Sequence, residues 1–370
     1  MMRHQLMRLI QFLTPDHREK WAQAMCAEIS TFSTERKAVI FALGCLMACF
    51  RFHMEMEISP FKNWSRIMQD RFTISAFIAG VTACLTGLAY LAVSGAPDSM
   101  LVINGMALVA GILIAMAVMV SVRNTNGFVT MAAVTGSVIL LGTAAIGHAV
   151  EDARRWVLIG PFFIQTSLIF LPLIALCFAR IQNIWTTLAV VTAGFAIAIQ
   201  PDRAMAAMLF AAIAVVCWMR PGQWTFSAAI VCAIGLLATL FQPDRIPAVP
   251  FVDHILWTAF DVHIMAGLAL WIGCLILVSP VFFVPRNERS AIHYTFTACW
   301  VALIAVAAMG AYPTPVVGYG ASAIMGYFLS LIIVRQVPQS DSVADVTSPG
   351  FPDTDKGESP LKNSSPVFAP

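Results

Sequence analysis

Four short polar segments interrupt an otherwise apolar chain, and they hold most of the residues able to do chemistry. They carry carboxylates, which can accept a proton, and arginines, which bind phosphate groups with two hydrogen bonds at once. A purely structural helix bundle has little reason to concentrate acids, paired arginines and prolines in this way, so the pattern favours an embedded site that opens to one face. The four segments are residues 151–156, 200–203, 242–254 and 312–322.

Asp253 is either a helix cap or part of an embedded site. It precedes the predicted eighth helix, where an acid commonly caps the backbone N–H groups of the first turn. Acids and histidines continue inside that helix, where His254, Trp257 or Thr258, and Asp261 recur at helical spacing and share one face. Asp261 lies about 12 Å along the helix from Asp253. A carboxylate at that depth is costly against lipid, so we expect Asp261 to face the bundle interior or a wet cavity. In that position Asp261 would either take part in the chemistry of the site or form a structural hydrogen bond to a neighbouring helix.

The other segments are also ambiguous when each is taken alone. Arg154, Arg155 and Trp156 are typical of an anchor at the level of lipid headgroups, but two adjacent arginines would also suit a phosphate clamp. Asp202 could simply cap a helix at a turn. Residues 312–322 predict irregular backbone beside a span, which is tolerated near membrane depth only where protein buries it or water reaches it. This last segment therefore favours a cavity.

Composition predicts an all-α polytopic membrane protein with about ten transmembrane helices. The chain is 59% hydrophobic and 11% charged, and its mean hydropathy is +0.79. Its apolar runs approach the ~17–25 residues that cross a hydrocarbon core, and spanning helices satisfy their own backbone hydrogen bonds. The predicted spans are residues 73–93, 101–122, 127–149, 161–179, 184–199, 204–219, 224–241, 255–283, 291–311 and 317–334.

Basic residues predict the orientation. Of the 22 Lys and Arg residues, only Arg154, Arg155, Arg203 and Arg245 fall in the loops of one face. Because Lys and Arg accumulate on the cytoplasmic side, we expect those loops, with the four polar segments, to be extracytoplasmic. Both termini are then predicted to be cytoplasmic.

The chain is predicted to have three regions. Residues 1–72 would form a helical module associated with the membrane on the cytoplasmic side, since its apolar run of residues 38–50 is short for a span. Residues 73–335 would form the ten-span domain. Residues 336–370, rich in Ser, Pro and Asp, would be a disordered cytoplasmic tail. The nine cysteines show no zinc-ligand spacing, and no basic groove indicates nucleic acid as a partner.

In order and spacing, the four segments resemble motifs of the FtsW/RodA/SpoVE (SEDS) family of cell-wall glycan polymerases. The family stretches are GARRWI…G…QPSE, QPDxGTA, LPEAHTDFIFA…EE and LPLPFVSYGGSS. The first stretch is matched here by residues 153–157, 160 and 165–167, and the second by residues 200–202 and 206. The third is matched by residues 246–247, 253 and 261, and the fourth by residues 313–322. The resemblance covers about residues 73–335, so the chain looks like a divergent member with an extra N-terminal module.

The resemblance implies a peptidoglycan glycosyltransferase that polymerises lipid II on the extracytoplasmic face of a bacterial inner (cytoplasmic) membrane, during cell division or elongation. Asp253 would be the catalytic base on the acceptor's 4-hydroxyl. Cationic groups or a divalent cation, Mg²⁺ or Mn²⁺, would stabilise the departing undecaprenyl pyrophosphate. The partners would be this lipid-linked glycan, membrane lipids and a class B penicillin-binding protein. Residues predicted to bind substrate or pyrophosphate are Arg154, Arg155, Trp156, Gln165, Asp202, Asp261, His254, Tyr319 and Ser322.

The sequence also departs from the family pattern. Phe251 and Val252 stand where the family has His-Thr before its catalytic acid, and Ala204 and Met205 stand where it has Gly-Thr. Losing the histidine removes a hydrogen bond that could orient the acid, unless His254 supplies one from the other side. Two alternatives therefore stay open: a non-catalytic scaffold for cell-wall synthesis, and a lipid flippase or transporter in which Asp261 and the histidines relay protons.

Overall fold

The computed structural model describes residues 2–14, 18–53, 70–121, 126–151, 153–160, 162–242, 246–315 and 321–335. In these residues fourteen α-helices accompany one small antiparallel sheet. The helices are α1 Met2–Leu13, α2 Glu19–Thr31, α3 Glu35–His53, α4 Arg71–Val93, α5 Asp98–Ser121, α6 Asn126–Ile146, α7 Thr166–Arg180, α8 Ile184–Ile199, α9 Arg203–Met219, α10 Gln223–Leu240, α11 Ile255–Val262, α12 Ile264–Val278, α13 Ala291–Met309 and α14 Ala321–Val334. The strands are β1 His148–Val150, β2 Ala153–Ile159 and β3 Phe162–Gln165.

The predicted all-α membrane fold is confirmed, and the protein is a multi-pass membrane protein. Among the described residues, six helices are long and apolar enough to cross a membrane: α4, α5, α6, α10, α13, and α12 extended by a 3₁₀ turn to Phe283. Four further apolar helices, α7, α8, α9 and α14, have 14–17 residues. Each of these ten helices corresponds to one predicted span.

Two predicted spans are not continuous helices. The eighth, predicted as one helix over residues 255–283, is two helices that meet at His263. The backbone of His263 is extended, and its Nδ1 accepts the Met265 N–H at 3.1 Å, which caps the start of α12. The fourth, predicted from residue 161, begins as strand β3 and becomes helical only at Thr166. The apolar content of these segments was predicted correctly, but its division between elements was not.

The core lies where the helices pack around α13 and α14. Helix α9 packs against α13, and α14 packs against both α5 and α7. Trp300 and Tyr327 are fully buried there, and the Tyr327 hydroxyl lies 3.1 Å from the Ala76 carbonyl and 3.2 Å from that of Leu277. A single hydroxyl thus links α14 to α4 and α12, where an unbonded polar group would be costly.

Gly326 permits the closest approach of α14 to α7. A Cβ at this position would overlap the Leu168 carbonyl oxygen, which is rigid backbone. We expect Gly326→Ala to destabilise the protein by about 1–3 kcal/mol, because the two helices would have to separate. Gly142→Ala is the matched control in α6, where a Cβ meets nothing within 4 Å. The unfolding free energy of both variants in detergent micelles checks this, and equal stability of the two would contradict it.

Basic side chains cap helix ends on the face opposite the four polar segments. Arg180 donates to the Ile333 carbonyl at 3.0 Å, Arg220 donates to the Ala179 carbonyl at 3.1 Å, and Arg335 donates to the Met119 carbonyl. These carbonyls belong to the last turns of α14, α7 and α5, where a cation is favoured by the helix dipole. The arginines that predict a cytoplasmic face therefore also stabilise the fold.

The first three helices form a small cluster of their own. Ile10, Ala22, Ile29, Ala42 and Cys49 are buried in it. The cluster meets the span region where the Phe12 and Trp185 rings lie 5.5 Å apart. Helix α3 is not among the helices long and apolar enough to span, and the predicted boundary near residue 72 stays a prediction. The predicted tail of residues 336–370 lies outside the described residues.

Candidate active site

One cavity of about 380 Å³ is lined by residues from all four polar segments. This volume is within the range of small-molecule sites. Its polar lining comes from segments far apart in sequence that the fold brings together. The polar lining residues from these segments are Arg155, Trp156, Asp202, Asp253, Tyr312 and Ser322, and Gln165 adds to them from outside the segments.

The cavity lies at membrane depth. Helix α7 has 15 residues, so it is about 22 Å long, shorter than a hydrocarbon core of roughly 30 Å. It starts at the cavity, which Leu168 lines from its first turn. This short helix thus places the cavity below the ends of the longer spans. Irregular backbone is tolerated at such depth where protein buries it or water reaches it.

A buried network around Asp202 joins the first two segments. Arg155 lies 5% exposed and Asp202 1% exposed, with 4.0 Å between Nε and Oδ2. Arg155 also donates to the carbonyls of Gln200 at 3.2 Å and Pro201 at 2.5 Å. Gln165 Nε2 donates to the same Asp202 oxygen at 3.0 Å. Such a buried pair is tolerable only because these hydrogen bonds satisfy its remaining polar atoms.

Asp202 and Ser322 have additional structural contacts. The other Asp202 oxygen accepts the Met205 N–H at 3.2 Å and so caps α9, as the structural interpretation predicted. The Ser322 hydroxyl accepts the Gln165 backbone N–H at 2.9 Å, which ties the start of α14 to the end of β3. The two residues therefore hold the cavity walls together while presenting polar atoms to its interior.

Arg154 and Arg155 do not converge as a two-arginine clamp. They are neighbours in strand β2, where successive side chains point to opposite faces. Arg155 is buried and lines the cavity, whereas Arg154 is exposed and donates to the Ala145 carbonyl at the end of α6. Trp156 is half-buried and lines the cavity. The segment was expected to be a loop, so this separation was not foreseen.

Asp253 lies in the cavity wall and does not cap the following helix. Its carboxylate Oδ2 accepts the Val249 N–H at 2.8 Å, and its own N–H donates to the Val249 carbonyl at 3.0 Å. The N-cap of α11 is His254, which makes no capping bond. A bridge to Pro313 joins Asp253 to the fourth segment. The capping interpretation is therefore wrong, and the turn fixes the carboxylate at the cavity.

Other predicted site residues lie elsewhere. Asp261 shares a face of α11 with Trp257 and Thr258, but that face is exposed and Asp261 does not line the cavity. The expectation that Asp261 faces the bundle interior or a wet cavity is therefore wrong. His254 has a left-handed backbone, with φ of 58°, and is also outside the lining. Tyr319 lies outside the described residues.

Apolar wall residues were missed by the sequence reasoning. Phe163, Leu168, Met205 and Leu303 line the cavity. No local signal distinguishes them, since each lies in an apolar run like any other in this chain. Leu303 in particular lies on α13, a helix whose apolar residues show no preferred side in the sequence.

A divalent cation stays a prediction for this site. Among the described residues, no group of three His, Cys, Asp or Glu side chains could hold a metal ion by itself. Mg²⁺ is usually bound by one or two carboxylates together with substrate phosphates and water. Asp253 and Asp202 are the carboxylates that line the cavity, and Asp202 already accepts from Met205 and Gln165.

The overall fold matches solved structures. The sequence matches no protein-family model and no curated protein. The rod shape determining protein RodA of Thermus thermophilus is similar in structure, with a TM-score of 0.51, 16% identity, and coverage of 70% of this chain and 94% of that one. A chain from a structure described as "Structural coordination of polymerization and crosslinking by a peptidoglycan synthase complex" has a TM-score of 0.50, 16% identity, and coverage of 72% and 98%. The chain therefore has the RodA fold.

Proposed function

We propose that this chain is a divergent glycosyltransferase of the FtsW/RodA/SpoVE (SEDS) family that polymerises lipid II on the extracytoplasmic face of the bacterial inner membrane. The observation that carries the proposal is the Asp253 carboxylate, held in the wall of a membrane-depth cavity within a RodA fold. A lipid-linked sugar needs such a site, because its sugar is polar and its carrier chain stays in lipid.

Asp253 acts as the general base in this proposal. Its carboxylate takes the proton from the 4-hydroxyl of the acceptor sugar, and that oxygen attacks the anomeric carbon of the donor. The bond from this carbon to the pyrophosphate oxygen breaks, and undecaprenyl pyrophosphate leaves with the bonding electron pair. The Val249 N–H that donates to Asp253 keeps the carboxylate oriented toward the acceptor.

Positive charge for the leaving pyrophosphate comes from Arg155. It is the one basic side chain among the described residues that line the cavity. Its guanidinium already holds Asp202 and two carbonyls, so its position is fixed before substrate arrives. Preorganised donors of this kind stabilise developing charge without rearranging during the reaction. Trp156 and Gln165 line the same wall and would contact the sugars.

A non-catalytic scaffold is the second candidate, and one observation favours it. Val252, directly before Asp253, is 5% exposed and packs in the apolar core. The FtsW/RodA/SpoVE (SEDS) family has a threonine at the position of Val252 and a histidine at the position of Phe251. A scaffold would keep the fold and a cell-wall partner but would not consume lipid II. We propose a class B penicillin-binding protein as that partner under either candidate.

Conversion of lipid II into glycan strands separates the two candidates. Purified protein in liposomes is supplied with lipid II, and strands are resolved by gel electrophoresis. A polymerase produces strands and releases undecaprenyl pyrophosphate. A scaffold leaves lipid II unchanged although the protein is folded.

A further inference from the structure

The Asp253 turn, residues 249–254, contains strained backbone. Phe251 and His254 lie on either side of Val252 and Asp253, and their φ angles are 61° and 58°. These values lie in the left-handed region, which residues with a Cβ rarely occupy. Such a conformation costs free energy and persists only where the surrounding structure holds it in place. Contacts on both sides of the turn are therefore needed to keep this shape.

One end of the Asp253 turn is fixed by backbone hydrogen bonds. The Val249 carbonyl accepts the N–H groups of Val252 and Asp253 at 3.1 Å and 3.0 Å. The Thr314 N–H donates to the Val252 carbonyl at 3.3 Å, beside the bridge between Asp253 and Pro313. These bonds tie the turn to the fourth polar segment.

Trp257 fixes the other end of the turn. It lies in the first turn of α11, and its indole N–H donates to the Ala308 carbonyl at 2.7 Å. Ala308 lies in the last turn of α13, where carbonyls have no N–H partner within their own helix. The Trp271 ring lies 5.5 Å away, edge to face, and supports the orientation of the Trp257 indole. The start of α11 is thus tied to the end of α13.

The indole bond and the bridge to Pro313 close a ring of chain. The ring runs from Asp253 to Trp257, crosses to Ala308, follows the chain to Pro313 and returns to Asp253. His254, with its left-handed backbone, lies in this ring. A relaxation of His254 would move Asp253 relative to Trp257, and the two contacts that close the ring oppose that movement.

We propose that Trp257 is a positioning residue for Asp253, because its indole holds the strained turn that keeps the carboxylate in the cavity wall. Trp257 is 54% exposed and lies outside the cavity lining, so it acts through the turn and does not touch substrate. The role of the carboxylate as a base rests on the proposed function. The hold of Trp257 on the turn does not.

Two aromatic variants test this role. Trp257→Phe keeps an aromatic ring and removes the N–H that donates to Ala308. Tyr327→Phe is the matched control, because it also keeps its ring and removes a donor to helix carbonyls, in the core around α14. Hydrogen–deuterium exchange of the full-length proteins in detergent micelles is read by mass spectrometry on peptides that contain residues 249–254. The turnover number and the KM for lipid II are measured in liposomes.

We expect the amides of the Asp253 turn to exchange about tenfold faster in Trp257→Phe than in the wild type, because local opening governs their exchange. The same amides should exchange at the wild-type rate in Tyr327→Phe. The turnover number of Trp257→Phe should fall about tenfold with little change in KM, since a misplaced base slows the chemical step and not binding.

Unchanged exchange of the turn in Trp257→Phe would overturn the proposal. Equal acceleration in Trp257→Phe and Tyr327→Phe would overturn it too, since that would be a general loss of stability. Faster exchange with a wild-type turnover number would show that the position of Asp253 does not depend on the indole. If the wild type makes no strands, the proposed polymerase is refuted, and the exchange rates alone decide whether Trp257 holds the turn.

Discussion

Asp253→Asn is expected to lower the rate of glycan polymerisation by about 10²–10⁴-fold, because the amide cannot accept the proton of the attacking hydroxyl. The substitution is nearly isosteric, and its side-chain oxygen can still accept the Val249 N–H that fixes the turn. The protein should therefore insert and unfold like the wild type. The measurement is the initial rate of strand formation from lipid II in liposomes.

Asp261→Asn is the matched control for this prediction. Asp261 is an exposed acid eight residues further along and does not line the cavity. Its loss should change the rate by no more than about twofold, as expected for a surface substitution. A folded Asp253→Asn protein that polymerises at the wild-type rate would remove Asp253 from the mechanism. A large loss in Asp261→Asn alone would point to the proton-relay alternative.

Arg155→Met is expected to destabilise the protein by about 3–5 kcal/mol, because it leaves Asp202 as a buried charge without its partner. The carbonyls of Gln200 and Pro201 lose their donor in the same variant. Arg155 belongs to the first segment and donates to the backbone of the second. Its loss should therefore separate these two segments where they form the cavity wall. The measurement is the unfolding free energy in detergent micelles.

Two further variants make the Arg155 prediction specific. Arg154→Met removes the adjacent but exposed arginine, and it should cost no more than about 1 kcal/mol. Asp202→Asn combined with Arg155→Met should be less destabilised than Arg155→Met alone, since no buried charge is left behind. Equal costs for Arg154→Met and Arg155→Met would contradict the assignment of Arg155 to the buried network.

Much of the fold could be predicted from the sequence because its signals are long and additive. Ten apolar runs predict ten spanning or near-spanning helices, and sparse charges predict which loops share a face. The convergence of Arg155, Asp202 and Asp253 on one cavity follows from that shared face. The family resemblance added the expected role of Asp253, which no local pattern could supply.

Local departures from a continuous helix could not be predicted in the same way. Residues 157–164 are apolar, so their sequence is equally consistent with the start of a span and with a hairpin. The break at His263 depends on one side chain that caps the next helix, a bond that hydropathy does not report. The separation of Arg154 from Arg155 followed from the same missed strand, because its period of two was not anticipated.

The most direct test of the central claim is lipid II polymerisation by the purified wild-type protein in liposomes, with and without a class B penicillin-binding protein. We expect glycan strands and release of undecaprenyl pyrophosphate, with the transpeptidase either required for the reaction or accelerating it. The claim would be contradicted if no strands form in either condition. Cooperative unfolding of the same preparation would show that the protein was folded. The chain would then be a scaffold with the RodA fold.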